Sequence, residues 1–145
     1  MKGQSVAGGV VGIEGIDVAP ETLSDDSAYI RAARRGLPGE VVRQAVGVLG
    51  RRETLAELLG ATPANLNRLY RRYALSRSQS EALLDMLRVV SRALYVFGDL
   101  DRANEWLDVA LPALGGRRPI ELCDTFQGRR LVSDAIRRIE YGEFP

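Results

Sequence analysis

A long stripe of large apolar side chains constrains this chain more than any other feature of its sequence. Its members repeat at spacings of four, three, four and three residues from Leu83 to Phe97. This spacing places side chains on one face of an α-helix. A capping box that begins at Ser76 or Ser78 precedes the stripe, and Gly98 follows it. We therefore predict a long amphipathic helix that ends at Phe97.

Glycine, proline and capping residues divide the rest of the chain into shorter segments, which predict an all-α fold. The predicted helices cover about residues 26–35, 40–49, 52–59, 63–73, 100–110, 119–125 and 129–140. The first 24 residues are rich in glycine and poor in periodicity, although the apolar residues between Val10 and Val18 are compatible with a short strand. We expect this region to be a mobile or loosely docked tail.

The residue types that are missing argue against catalysis. Histidine is absent and the only lysine is Lys2, so the commonest general base and metal ligand is lacking. The single cysteine, Cys123, excludes an internal disulfide and a cysteine-based metal cluster. We expect a binding protein with no enzymatic activity, metal or cofactor.

The sequence shows no clear signal peptide and no apolar run of the ~20 residues that a membrane span requires, so we expect a cytoplasmic protein with no membrane partner.

Positive charge is concentrated in one part of the chain, although the net charge is only +1. Residues 31–80 contain ten arginines and three glutamates, whereas residues 1–30 contain one cation and five anions, and residues 81–145 nine arginines and eleven acids. A high-GC genome would explain arginine in place of lysine, but not the regional excess. Such an excess is typical of a phosphate-binding segment.

The arginine-rich segment contains the parts of a helix-turn-helix between Arg52 and Tyr73. A short helix leads to a turn at Gly60, and a second helix follows with Thr62 as its cap and Pro63 at its first position. In this motif the second helix reads base edges while flanking cations contact phosphates. The candidate base contacts are Asn65, Asn67 and Arg68, and the candidate phosphate contacts are Arg51, Arg52, Arg71 and Arg72. The alternative is a degenerate module that only dimerises.

The last third of the chain, residues 97–144, carries a set of short motifs in a characteristic order. They are Phe97-Gly98-Asp99, Ala103, Trp106-Leu107, Leu114-Gly115-Gly116, Pro119, Glu121-Leu122, Thr125, Gly128, Val132 and Ile139-Glu140-Tyr141-Gly142. Together they resemble the toxin-binding region of the MbcA/ParS/Xre antitoxin family. The preceding helices, from about Gly39 to Val96, resemble the Xre-type DNA-binding half of that family.

This resemblance implies three parts: residues 1–38 as a tail with a short helix, 39–97 as an Xre-like DNA-binding and dimerisation domain, and 98–145 as a toxin-binding domain. It implies a partner toxin with a RES domain, which degrades NAD or transfers ADP-ribose, and an antitoxin that covers the toxin's active site. It also implies autoregulation through operator DNA, by a homodimer within a larger toxin–antitoxin complex. The alternative is a stand-alone repressor whose C-terminal half only dimerises.

The end of the last predicted helix suits contact with a toxin, because aromatic and arginine side chains are the usual anchors of interfaces. Its glutamates could pair with the cationic groups that hold a cofactor's phosphates. In the alternative reading, Ile139 and Tyr141 pack inward and the glutamates are solvated. The candidate toxin-binding residues are Arg130, Arg137, Arg138, Glu140, Tyr141, Gly142, Glu143, Phe144 and Pro145.

Overall fold

The structure, a computed structural model, describes residues 6–7 and 9–142. Over these residues most of the chain is helical, which confirms the predicted all-α class. A small antiparallel hairpin pairs β1 (Val6–Ala7) with β2 (Val10–Val11). The helices are α1 (Pro20–Ser24), α2 (Asp26–Arg35), α3 (Gly39–Leu49), α4 (Arg52–Leu58), α5 (Leu66–Tyr70), α6 (Arg77–Phe97), α7 (Leu100–Leu107) and α8 (Phe126–Glu140). Short 3-10 turns lie at Pro63–Asn65, Pro112–Leu114 and Pro119–Leu122. None of the helices described is long and apolar enough to cross a membrane.

Helix α6 is the central element of the fold. It begins with the capping box of Ser76 and Gln79, one of the two predicted, and it ends at Phe97 as expected. The predicted stripe is buried except for Phe97, which is half-buried, and Leu84, Met86 and Val89 on other faces are buried as well. The hairpin, α2, α4, α7 and α8 all pack against α6. It is therefore enclosed on several sides, which a one-face pattern did not predict.

From Gly9 onward, the N-terminal region is not the mobile or loosely docked tail that its glycines suggested; residues 1–5 and 8, which belong to the same prediction, lie outside the described residues. Val10, Val11, Ile13 and Ile16 are buried in the core. Ser91, in the middle of α6, accepts a hydrogen bond from the N–H of Val11 at 2.7 Å and donates one to the C=O of the same residue. The prediction was wrong because the partners of this segment lie about eighty residues away in the chain.

Gly128 was predicted to separate two helices, but it lies inside α8. Thr125 caps the helix, and its hydroxyl accepts a hydrogen bond from the N–H of Gly128 at 2.9 Å. A Cβ at position 128 would stand 1.7 Å from the carbonyl oxygen of Leu122. Glycine is therefore required here for close approach of the preceding turn. The helix predicted over residues 119–125 is only the 3-10 turn Pro119–Leu122.

Short-range interactions set several other helix boundaries. Asp25 and Asp99 cap α2 and α7 with their side chains. Gly50 ends α3 in the left-handed conformation, with a φ of 67°. The buried apolar side chains form one continuous cluster from Val10 to Ile136. The predicted parts 39–97 and 98–145 therefore share a core, and their division into functional units stays a prediction.

Candidate functional site

The predicted helix-turn-helix is present, with a shorter second helix. Helix α4 is followed by a turn at Gly60, which has a φ of 70°. The chain then forms the 3-10 turn Pro63–Asn65 and continues directly into α5. Thr62 has the extended backbone of a capping residue, but its side chain makes no capping hydrogen bond. The predicted side-chain cap is therefore wrong.

Helix α5 ends at Tyr70, not near Tyr73 as predicted, because the start of α3 meets its C-terminal end. The N–H of Gly39 donates to the carbonyl oxygen of Arg72 at 2.9 Å. A Cβ at position 39 would stand 1.9 Å from the carbonyl oxygen of Leu69. The positive end of the α3 dipole thus faces the negative end of α5.

The side chains predicted to read bases lie on the outer face of this module. Leu66 and Leu69 are buried, whereas Asn65, Asn67 and Arg68 are exposed. Arg71 and Arg72 are also exposed, directly after α5. They are joined by Tyr73, which the sequence analysis did not single out and whose side chain is 97% exposed. These residues form one polar and basic surface, here called the α5 surface: Asn65, Asn67, Arg68, Arg71, Arg72 and Tyr73.

Arg52 uses its guanidinium group inside the module. One nitrogen donates to the hydroxyl of Tyr70 at 3.2 Å, and another donates to the carbonyl oxygen of Pro63 at 2.8 Å. Arg52 therefore joins α4 to both ends of the following helical segment. Its predicted contact with phosphate is untested, and these bonds would compete with it.

Arg51 is tied to α7 in a similar way. Its side chain is only 16% exposed and donates to both carboxylate oxygens of Asp108, at 2.9 and 3.1 Å, and to the backbone carbonyl of Asn104. These bonds hold the pKa of Asp108 below its usual value. Arg51 thus joins the helix-turn-helix to the C-terminal part of the chain, so its proposed DNA contact has the least structural support of the set.

The predicted toxin-binding residues lie at the end of α8 and on its outer side. Arg130, Arg137 and Arg138 are exposed, as are Tyr141 and Gly142. The side chain of Tyr141 is 71% exposed, which contradicts the alternative reading that it packs inward. Glu140 is half-buried. The remaining predicted residues, Glu143, Phe144 and Pro145, lie outside the described residues.

Two arginines that the sequence analysis missed stand across from α8. Arg88 and Arg92 on α6 line a groove of about 210 Å³ together with Arg130 and Arg137 on α8. The sequence does show that Arg88 and Arg92 are one helical turn apart on the longest helix and share a face. It does not show that α8 packs beside that face, and without this fact the pair could not be recognised as part of a groove. Within residues 9–142, no cluster of acidic and cysteine side chains is arranged to hold a metal ion.

Most of the residues that line this groove, from Arg92 onward, lie in a part of the chain that is similar to a known domain. Residues 92–142 match the family described as the antitoxin Xre/MbcA/ParS C-terminal toxin-binding domain. The chain is also 34% identical over 94 residues to "Antitoxin Xre" of Yersinia enterocolitica, covering 61% of this chain and 64% of that protein. A stretch of 41 residues is 49% identical to the "Prs ADP-ribosylating antitoxin" of Sphingobium sp., covering 28% of this chain and 26% of that protein. The chain thus spans about a quarter and just under two thirds of the lengths of these relatives.

Proposed function

We propose that this chain is an antitoxin of the Xre/MbcA/ParS family and that it neutralises a RES-domain toxin by covering the toxin's active site with its C-terminal region. The observation that carries the proposal is the match of residues 92–142 to the toxin-binding domain of the family. Both named relatives are antitoxins, and we propose that this chain likewise acts by binding. The toxin would degrade NAD or transfer ADP-ribose, and ADP-ribosylation appears in the name of the Sphingobium relative.

The exposed end of α8 is the proposed contact with the toxin. Tyr141 and the arginines beside it have the chemistry of interface anchors. Glu143, Phe144 and Pro145 follow in the sequence, and we include them in the proposed surface. We place the carboxylates of Glu140 and Glu143 against toxin cations that otherwise hold a cofactor's phosphates.

The test is co-expression with the RES-domain protein encoded beside this gene. The full chain should restore growth and co-purify with that protein. Deletion of Tyr141–Pro145 should weaken rescue and leave the helical content unchanged, because α8 is complete at Glu140. Replacing the exposed Tyr73 with alanine provides a matched control, since it removes a tyrosine from the distant α5 surface. A truncated chain that rescues growth as well as the full chain would show that residues 141–145 are not needed for neutralisation.

We also propose that the α5 surface binds operator DNA, so that the antitoxin represses its own operon. Its exposed asparagines and arginines are side chains that read adenine and guanine in the major groove. A homodimer would present two such surfaces to paired half-sites. Because operator DNA and NAD are found in the cytoplasm, we expect the protein to act there.

Arginine substitutions on the α5 surface test the DNA-binding proposal. Arg68→Ala and Arg71→Ala should each weaken binding to the gene's own promoter fragment by about tenfold at low salt. Toxin neutralisation should persist in both variants. Arg35→Ala, which removes an exposed arginine of α2, is the control. If the unaltered protein does not bind the promoter fragment at low salt, the DNA-binding proposal is wrong.

A further inference from the structure

The groove between α6 and α8 carries more positive charge than its own acids neutralise. It is lined by five arginines and two aspartates, an excess of three positive charges. Arg129, at its base, is paired with Asp85 at 2.6 Å, and Arg137 lies 3.6 Å from Asp134. In the described part of the chain, Arg88, Arg92 and Arg130 form no ion pair.

Two of these arginines are partly cut off from water, and Arg88 also contacts an aromatic ring. The guanidinium carbon of Arg88 lies 4.5 Å from the ring centre of Tyr29, a cation–π arrangement. The Nε atoms of Arg88 and Arg92 are buried and have no hydrogen-bond partner among the described residues. Burial lowers the pKa of Arg92, and Arg137 and Arg88 lower it further. This arrangement is unfavourable in the free protein, and a bound anion would relieve it.

Exposed aromatic rings stand at both ends of the charged stretch. Phe126, 63% exposed, lines the same groove at the start of α8. Tyr141 shares a pocket with Arg137 and Arg138 at the other end. Helix α8 has fifteen residues and is therefore about 22 Å long. A strip of arginines that is bounded by aromatics is typical of the centre of a protein–protein interface.

We propose that this groove binds the carboxylates of an acidic segment of the toxin, and the inference rests on the proposed function. The planar guanidinium group pairs with carboxylate in a two-pronged geometry, which gives both affinity and orientation. Most of the groove, from Arg92 onward, lies within the matched toxin-binding domain. The side chains suited to reading bases lie elsewhere, on the α5 surface. The proposed contact between the groove and the toxin is thus an interaction between charged groups, and it lies beside the exposed end of α8.

Charge reversal in the groove tests this inference. The double variant Arg130→Glu/Arg137→Glu changes two exposed side chains, so the fold should be retained. Its dissociation constant for the neighbouring RES-domain protein should rise about a hundredfold. Arg102→Glu/Arg117→Glu makes the same change of charge at exposed positions of the same domain outside the groove, and its affinity should stay within about twofold of the parent. Circular dichroism checks folding, and Arg130→Gln/Arg137→Gln provides a milder variant that should also bind more weakly than the control.

The outcomes separate this inference from the proposed function. If the unaltered chain does not bind the RES-domain protein, the proposed function fails and the groove inference fails with it. If the unaltered chain binds and the groove variants bind equally well, the antitoxin function stands and the groove inference is overturned. Loss of promoter binding by the groove variants, with toxin binding intact, would make nucleic acid the occupant and overturn it as well.

Discussion

One arginine of the C-terminal half acts as a buried structural element. The Nε of Arg129 donates to Asp85 at 2.6 Å, and one terminal nitrogen donates to the carbonyl oxygen of Cys123 at 2.9 Å. The side chains of Arg129 and Asp85 are only 7% and 17% exposed. This residue joins α8 to α6 and to the turn before α8. Arg130 beside it is exposed. Helical spacing separates the two, because Arg129 shares a face of α8 with the buried Val132.

Removing one partner of this buried pair should destabilise the fold strongly. Arg129→Met leaves Asp85 charged and unpaired, and we expect a loss of about 3–5 kcal/mol in the free energy of unfolding, measured by urea denaturation. Asp85→Leu/Arg129→Met should recover much of that loss. Arg43→Met, at an exposed pair with Glu40, should change the stability by less than about 1 kcal/mol. Equal effects of Arg129→Met and Arg43→Met would contradict this account of the buried pair.

The thiol of Cys123 should be unreactive in the folded protein. Burial raises its pKa from 9.0 to about 12, so almost no thiolate is present at about pH 8. Iodoacetamide should label the native chain far more slowly than the chain in concentrated urea. Because the folded pKa is raised, the stability contributed by the neutral thiol is present below about pH 9 and is lost as the pH rises toward 12. Native labelling at the unfolded rate would show that Cys123 is accessible.

At the scale of elements, local signals predicted where most helices begin and end, and long-range contacts explain the errors. Asp25 and Asp99 cap helices through bonds within three residues along the chain, so sequence could find them. The need for glycine at position 128 arises from the close carbonyl oxygen of Leu122, and the docking of Val11 depends on its hydrogen bonds with Ser91. Such partners are not visible in a periodic pattern. For the same reason the sequence did not predict where α5 ends, because that position is set by contact with the start of α3.

The junction of α3 with the end of α5 should be sensitive to one methyl group. Gly39→Ala would place a Cβ against the carbonyl oxygen of Leu69, and α5 must shift to avoid it. We expect lower stability and weaker promoter binding, measured by thermal denaturation and a mobility-shift assay. Gly47→Ala is the control, because its Cβ has nothing within 4 Å; it should stabilise α3 by about 0.5–1 kcal/mol. A Gly39→Ala variant with parental stability and promoter affinity would show that this junction does not hold α5.

At the scale of the whole molecule, α6 connects the surfaces on which the proposed functions depend. It packs against α4 of the helix-turn-helix and against α8, which lies in the part of the chain that matches the family's toxin-binding domain. Sequence analysis found the arginines of α8 and the exposure of the α5 side chains, since both follow from helical periodicity. It could not find the groove, because the groove exists only where the polar side of α6 meets α8. The resemblance to the family, carried by short motifs, identified the domain but not its charged surface.

The most direct test is a titration of the purified RES-domain protein encoded beside this gene with the full chain, following the consumption of NAD. Binding of the C-terminal region over the toxin's active site predicts that consumption falls to background once the chain is in excess. NAD consumption that continues unchanged at saturating concentrations of the chain would contradict the account.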